Sequence, residues 1–109
     1  MKQDLVLKRR IKEILKIVQE VAPGNSVELR IPPIAAIQCV SGSVHRRGTP
    51  PNVVEMSGTT LVELVDNPSN WHALCSDGHI SASGTGSDLS DLFKEVSKLM
   101  ESFSGGKNG

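Results

Sequence analysis

At 109 residues the chain has the length of one domain and enough surface to bury for a core without metal or disulfide staples. Lys and Arg number 12 and Asp and Glu number 12, so the net charge is zero and the basic excess of a nucleic-acid binder is missing. Hydrophobic residues make up 38%, with no tyrosine and only Trp71, Phe93 and Phe103 as aromatics, so Leu, Ile, Val, Ala and Met must build the core.

The amino end, "MKQDLVLKRRIKEILK", is charged throughout and has no apolar run of the signal-peptide kind. It does gather Lys8, Arg9, Arg10 and Lys12 into a local basic patch. No stretch nears the ~18 apolar residues of a membrane span. Cys39 and Cys75 are two lone thiols, not a secreted disulfide framework. The expectation is a soluble, reduced, cytoplasmic protein with no integral membrane association.

From about Lys2 to Val21 the pattern is helical, with Leu7, Ile11, Ile14, Leu15 and Val18 on one stripe. "APGN" at Ala22–Asn25 stops the helix. "SVELRI" alternates, with Val27, Leu29 and Ile31 on one side and Glu28 and Arg30 on the other, as a half-buried strand does. Pro32-Pro33 breaks it. "IAAIQCV", Ile34 to Val40, is apolar on both faces and predicts an interior strand. A turn at 41–43 and a short strand around Val44 lead to "HRRGTPPNVVE", whose last part opens a strand at Asn52–Met56.

Ser57 is placed to cap a short helix carrying Leu61, Leu64 and Val65. Ser69 or Asn70 is placed to cap a second, with Trp71, Leu74 and Cys75. A strand from His79 to Ser83 follows, Ile80 and Ala82 inward. Ser87 then caps a last helix carrying Leu89, Leu92, Phe93, Val96, Leu99, Met100 and Phe103. These elements predict one α+β domain over residues 1–103, with 104–109 as a disordered tail. Its sheet is mostly antiparallel, of about four to five strands, covered by the amino-terminal, two short middle and carboxy-terminal helices.

Three stretches invite a chemical reading. In "HRRGTPPN" the prolines make a stiff arm, from which His45, Arg47, Thr49 and Asn52 are candidate polar ligands of an anionic or polar group. The plainer alternative is a loop whose threonine and asparagine satisfy backbone and whose arginines sit in water. His72, Cys75 and His79 fall short of a zinc ligand set, so no metal or cofactor is expected. "SGTGSD" lacks a third glycine, and Asp88 and Asp91 put negative charge on the first turns of the helix that follows, where a phosphate would be repelled, so it reads as a tight turn. No nucleophile elbow, H-E-x-x-H or paired acid and base is visible, and no catalytic residue is assigned.

The strand "NVVEM", the two short helices, "DGHISASG" with Gly78, Ile80 and Gly84, and the final amphipathic helix together resemble the sterol-carrier-protein fold. "VELRIPPIAAIQCV" with "HRRGTPPNVVE" looks like a bacterial branch of that superfamily, whose biochemical role is not established. The well-known lipid carriers lack the His45–Asn52 motif, and usually have glycine where this chain has Asp66-Asn67-Pro68.

The resemblance implies a non-catalytic domain binding a lipid or other apolar small molecule between sheet and helices. Val53, Leu61, Leu64, Ile80, Leu92 and Val96 are the candidate apolar wall. The alternative is an accessory subunit with a filled core that works through a protein partner.

Overall fold

The amino-terminal apolar stripe does become the buried side of a helix. This is α1, Lys2–Val21, on which Ile11, Ile14, Leu15 and Val18 are at most 3% exposed. A computed structural model describes residues 2–42 and 50–108 of the chain. After α1 come β1 (Val27–Ile31), β2 (Ala35–Cys39), β3 (Asn52–Met56) and α2 (Gly58–Asp66). A single 3-10 turn at Pro68–Asn70 runs into α3 (Trp71–Ser76), followed by β4 (Ile80–Ser83) and α4 (Ser90–Asn108).

The strands lie in the order β2-β1-β3-β4. β1 and β2 form an antiparallel hairpin, Val27 opposite Cys39 and Ile31 opposite Ala35. Pro32-Pro33, joined by a cis peptide bond, makes the turn, and the Ile34 N–H closes it on Ile31 O at 2.8 Å. β3 then lies on the other side of β1, parallel to it, with Val27 beside Asn52. β4 returns antiparallel to β3, Met56 opposite Ile80.

The sheet is therefore mixed, not mostly antiparallel. A parallel pair normally needs a helical crossover. Here β2 itself is the return path, and β3 is placed against the free side of β1.

Two further expectations change. Among the described strands β2 lies at the edge of the sheet, not in its interior. Its true span alternates: Ala35 and Ile37 are half-buried and Cys39 is buried, while Ala36 and Gln38 are exposed. The apolar residues that made it look two-sided, Ile34 and Val40, lie outside the strand. Ala82, expected inward, is exposed; β4 is the opposite edge and buries only Ile80.

The helices cover one face of this sheet, as the sequence predicts. The inward residues of β1 and β3, Val27, Leu29, Ile31, Val54 and Met56, share a single core with α1, α2, α3 and α4. Trp71 and Phe93 stack within it, ring centroids 6.4 Å apart.

Ser57 caps α2 as expected, its hydroxyl accepting the Thr60 N–H at 3.1 Å. Asn70 occupies the N-cap position of α3 but makes no side-chain cap bond. Ser87 does not cap the last helix. Its hydroxyl donates to Gly84 O at 2.8 Å, and Asp88 Oδ1 accepts the Ser90 N–H at 2.9 Å where α4 begins. α4 also continues to Asn108, past the point where the sequence pattern ends it.

Candidate functional site

The described residues on either side of 43–49 lie where the end of α1, the start of β1, the end of β2 and the start of β3 come together. His45, Arg47 and Thr49, and the strand expected at Val44, fall outside the described residues. Both flanks of the stretch are well fixed.

On the outgoing side, Val40 adopts a left-handed backbone, φ 64°, rare for a β-branched residue. Two hydrogen bonds hold it: its N–H donates to Ala22 O at 2.7 Å and its carbonyl accepts the Ser26 N–H at 2.9 Å. Gly24, φ 148°, passes so close that a Cβ there would meet the Val40 carbonyl. The Ser41 hydroxyl adds a bond to Pro23 O at 3.0 Å.

On the returning side, Pro50 is buried and leads to Asn52, 7% exposed. The Asn52 side-chain amide donates to Ser26 O at 2.9 Å, and its carbonyl oxygen accepts the Gly86 N–H at 2.8 Å. Gly84, φ 105°, lies against the same side chain, where a Cβ would meet Asn52 Oδ1. Asn52, a candidate ligand group from the sequence, thus uses both ends of its amide to tie β3 to β1 and to the Gly84–Ser87 turn. The Gly86 N–H is already satisfied, which fits the sequence reading of that turn as structural.

The six candidate wall residues are not brought together as one set. Leu61, Leu64 and Val96 have no exposed surface, and Ile80 is 3% exposed. Leu92 is partly buried and packs against the same core. Val53 is on the other face of the sheet, beside Glu28 and opposite Ser83. Its neighbour Val54 takes the inward position instead.

None of the six lines either of two surface grooves built from described residues. One, of about 470 Å³, runs over the sheet face opposite the described helices, between Glu28, Arg30 and Glu55 and the Pro32–Ala36 turn. The other, of about 450 Å³, runs along the outside of α1. The first could be half-read from the sequence, since Glu28 and Arg30 share the polar side of β1. Glu55 joins them only because β3 lies parallel to β1, with Arg30 beside Glu55. The Arg30 Nε donates to Glu28 Oε2 at 2.7 Å, and an Nη lies 3.9 Å from Glu55. That hydrogen bond and the Glu28 charge lift the Arg30 pKa further above its ordinary value.

Burial pushes the Cys39 thiol up to about 11, which leaves it unreactive at neutral pH. Cys75 is also raised, first by burial and then by the charge of Asp88. Asp88 itself is held below the usual carboxylate range, mainly by its hydrogen bonds with Ser90 and also by His72 and Lys94. His72 and His79 are both exposed. Among the described residues no three His, Cys, Asp or Glu side chains are grouped to hold a metal. Nor is any described helix long and apolar enough to cross a membrane.

A four-stranded mixed sheet with all its helices on one face, and the amino-terminal helix packed into the same core, defines an α+β domain with two apolar layers. A protein-family model described as "Bacterial SCP ortholog" matches residues 4–94, and the chain belongs to this bacterial sterol-carrier-protein-like family. No curated protein matches the chain.

Proposed function

We propose that the chain is a non-catalytic carrier that takes up a lipid or other apolar small molecule between its sheet and its helices. The family supports this reading, and one structural observation carries it. The layers that face each other are slim aliphatics, Leu29 and Val54 on the sheet and Leu61, Leu64 and Val96 on the helices. Their full burial means that uptake must part the helices from the sheet, so that ligand replaces contacts the core makes with itself. Native mass spectrometry and titration with a fluorescent fatty acid test it. Bound acyl mass or saturable uptake is expected. No uptake at tens of micromolar, about 6 kcal/mol of binding, overturns the reading.

The polar end of such a ligand would belong to His45, Arg47 and Thr49. A guanidinium pairs bidentately with carboxylate or phosphate. Arg47→Ala should then weaken binding of an anionic ligand by roughly 1.5–3 kcal/mol and leave the melting temperature nearly unchanged. If it lowers stability and leaves binding intact, the stretch is a loop brace.

A second reading, an accessory protein with a filled core, draws on the same full burial and on the two grooves lying on outer surfaces. Absence of acyl uptake together with stable partner binding would favour it.

A further inference from the structure

α1 spends its apolar stripe on the core, yet its outer side is not plain solvated helix. A groove of about 450 Å³ runs there, lined by Leu5, Lys8, Arg9, Lys12, Glu13 and Lys16. Their three- and four-residue spacing puts them on one helical face. Four cations meet one carboxylate. Arg10 is turned elsewhere, toward Asp66 at 3.5 Å. At the start of the groove Leu5 and the adjacent Val6 are 64% and 65% exposed. The zero net charge conceals this bias, since residues 2–16 hold six of the 12 Lys and Arg but two of the 12 Asp and Glu.

We propose that the outer face of α1 docks an acidic segment of a partner protein, one that carries carboxylates at three- or four-residue spacing beside an aliphatic side chain. Charge complementarity selects the carboxylates, and Leu5 with Val6 receives the aliphatic group. A bilayer is a different anionic surface, and the face suits it less. An interfacial helix lays a broad apolar side into lipid, and that side of α1 is already inside the protein. What remains outside is a shallow charged furrow between side chains of one helix, with the exposed large apolar side chains Leu5 and Val6 at one end. Such a shape seats a side chain, not a plane. A nucleic-acid backbone would leave Leu5 and Val6 without a role and would face Glu13.

The test uses the full chain and a fluorescein-labelled helical peptide with glutamates at three- and four-residue spacing and a single leucine. The controls are the same peptide with lysines for glutamates, vesicles of equal parts phosphatidylcholine and phosphatidylglycerol, and duplex DNA. The acidic peptide should bind, and binding should weaken with added salt. The combined variant Lys8→Glu, Lys12→Glu, Lys16→Glu should weaken it by roughly tenfold or more. Leu5→Ala should weaken it several-fold. Circular dichroism checks each fold, and a Lys→Gln set repeats the test if the reversed charges disturb α1. Fatty-acid uptake, followed in parallel, should be unchanged in every variant, so failure of docking and failure of the carrier reading are separate results. No binding of the acidic peptide, equal binding by the triple variant, or binding to vesicles or DNA alone overturns the proposal.

Discussion

On one face of the sheet Val27, Leu29, Ile31 and Val54 have no exposed surface; on the other, Arg30 and Glu55 leave nearly half of theirs in water, 45% and 48%. The same strands make both faces, alternating residue by residue. The inward face is held by area removed from water, at roughly 25 cal/mol per Å². The outward face is held by ion pairs that water and salt screen. Alternation has thus separated two tasks within the same few residues. Stability belongs to one side, and the other can change its chemistry at little cost.

The sharpest way to break this contrast is to remove a side chain from each face. Leu29→Ala, inward, should cost about 2–5 kcal/mol in urea or thermal unfolding, because it combines lost burial with a cavity. A loss under about 1 kcal/mol would mean that the core relaxes around the gap. Asn52→Ala comes next. It strands the Gly86 N–H and removes a bond to Ser26 O, and should cost about 1–3 kcal/mol. Asn52→Asp separates the two bonds, since it keeps the acceptor for Gly86 and loses the donor to Ser26.

A pH titration probes the inward face without a cavity. The Cys39 thiol has its pKa raised from 9.0 to about 11 by burial. The raised value means that the native state holds this proton more tightly than the unfolded chain. Its contribution to stability is therefore intact below pH 9.0 and is lost as pH rises through about 11. Unfolding midpoints should fall across that window, and Cys39→Ala should flatten the slope whatever its effect at neutral pH. Smallest is the outward pair. A double-mutant cycle on Glu28 and Arg30 should give a coupling of at most ~1 kcal/mol that shrinks in salt. A coupling that survives high salt would show that the open face holds more of the fold than its exposure implies.

The sequence carried periodicity well and adjacency poorly. The stripe of Ile11, Ile14 and Val18, the alternation of "VELRI" and the Ser57 cap could all be read, because each is a local pattern with a local cause. The parallel pairing of β1 with β3 could not. Period two tells which face a residue takes, not which strand lies beside it. The same limit explains β2, where Ile34 and Val40 counted as strand residues until the Pro32-Pro33 turn and the left-handed Val40 removed them.

For the candidate site, Leu61, Leu64 and Val96 were legible as inward-facing, but Val53 differs from Val54 by one position and hence by a whole face. Asn52 was legible as a polar residue with work to do. Its partners, Ser26 and Gly86, lie 26 and 34 residues away and leave no local trace.

The hydrogen bonds at Ser26 have one more consequence. Ser26 donates to Val40 and accepts from Asn52, so the chain leaves and returns at one residue. The connection between those points is a closed bight on a fixed post. Lengthening such a bight is cheap, about 0.6 kcal/mol for each doubling. Both anchors on Ser26 lie outside the span from Gly42 to Pro50, so recognition sequences spliced into that span should leave the two hydrogen bonds in place, and thermal unfolding of such insertions measures what the span itself contributes.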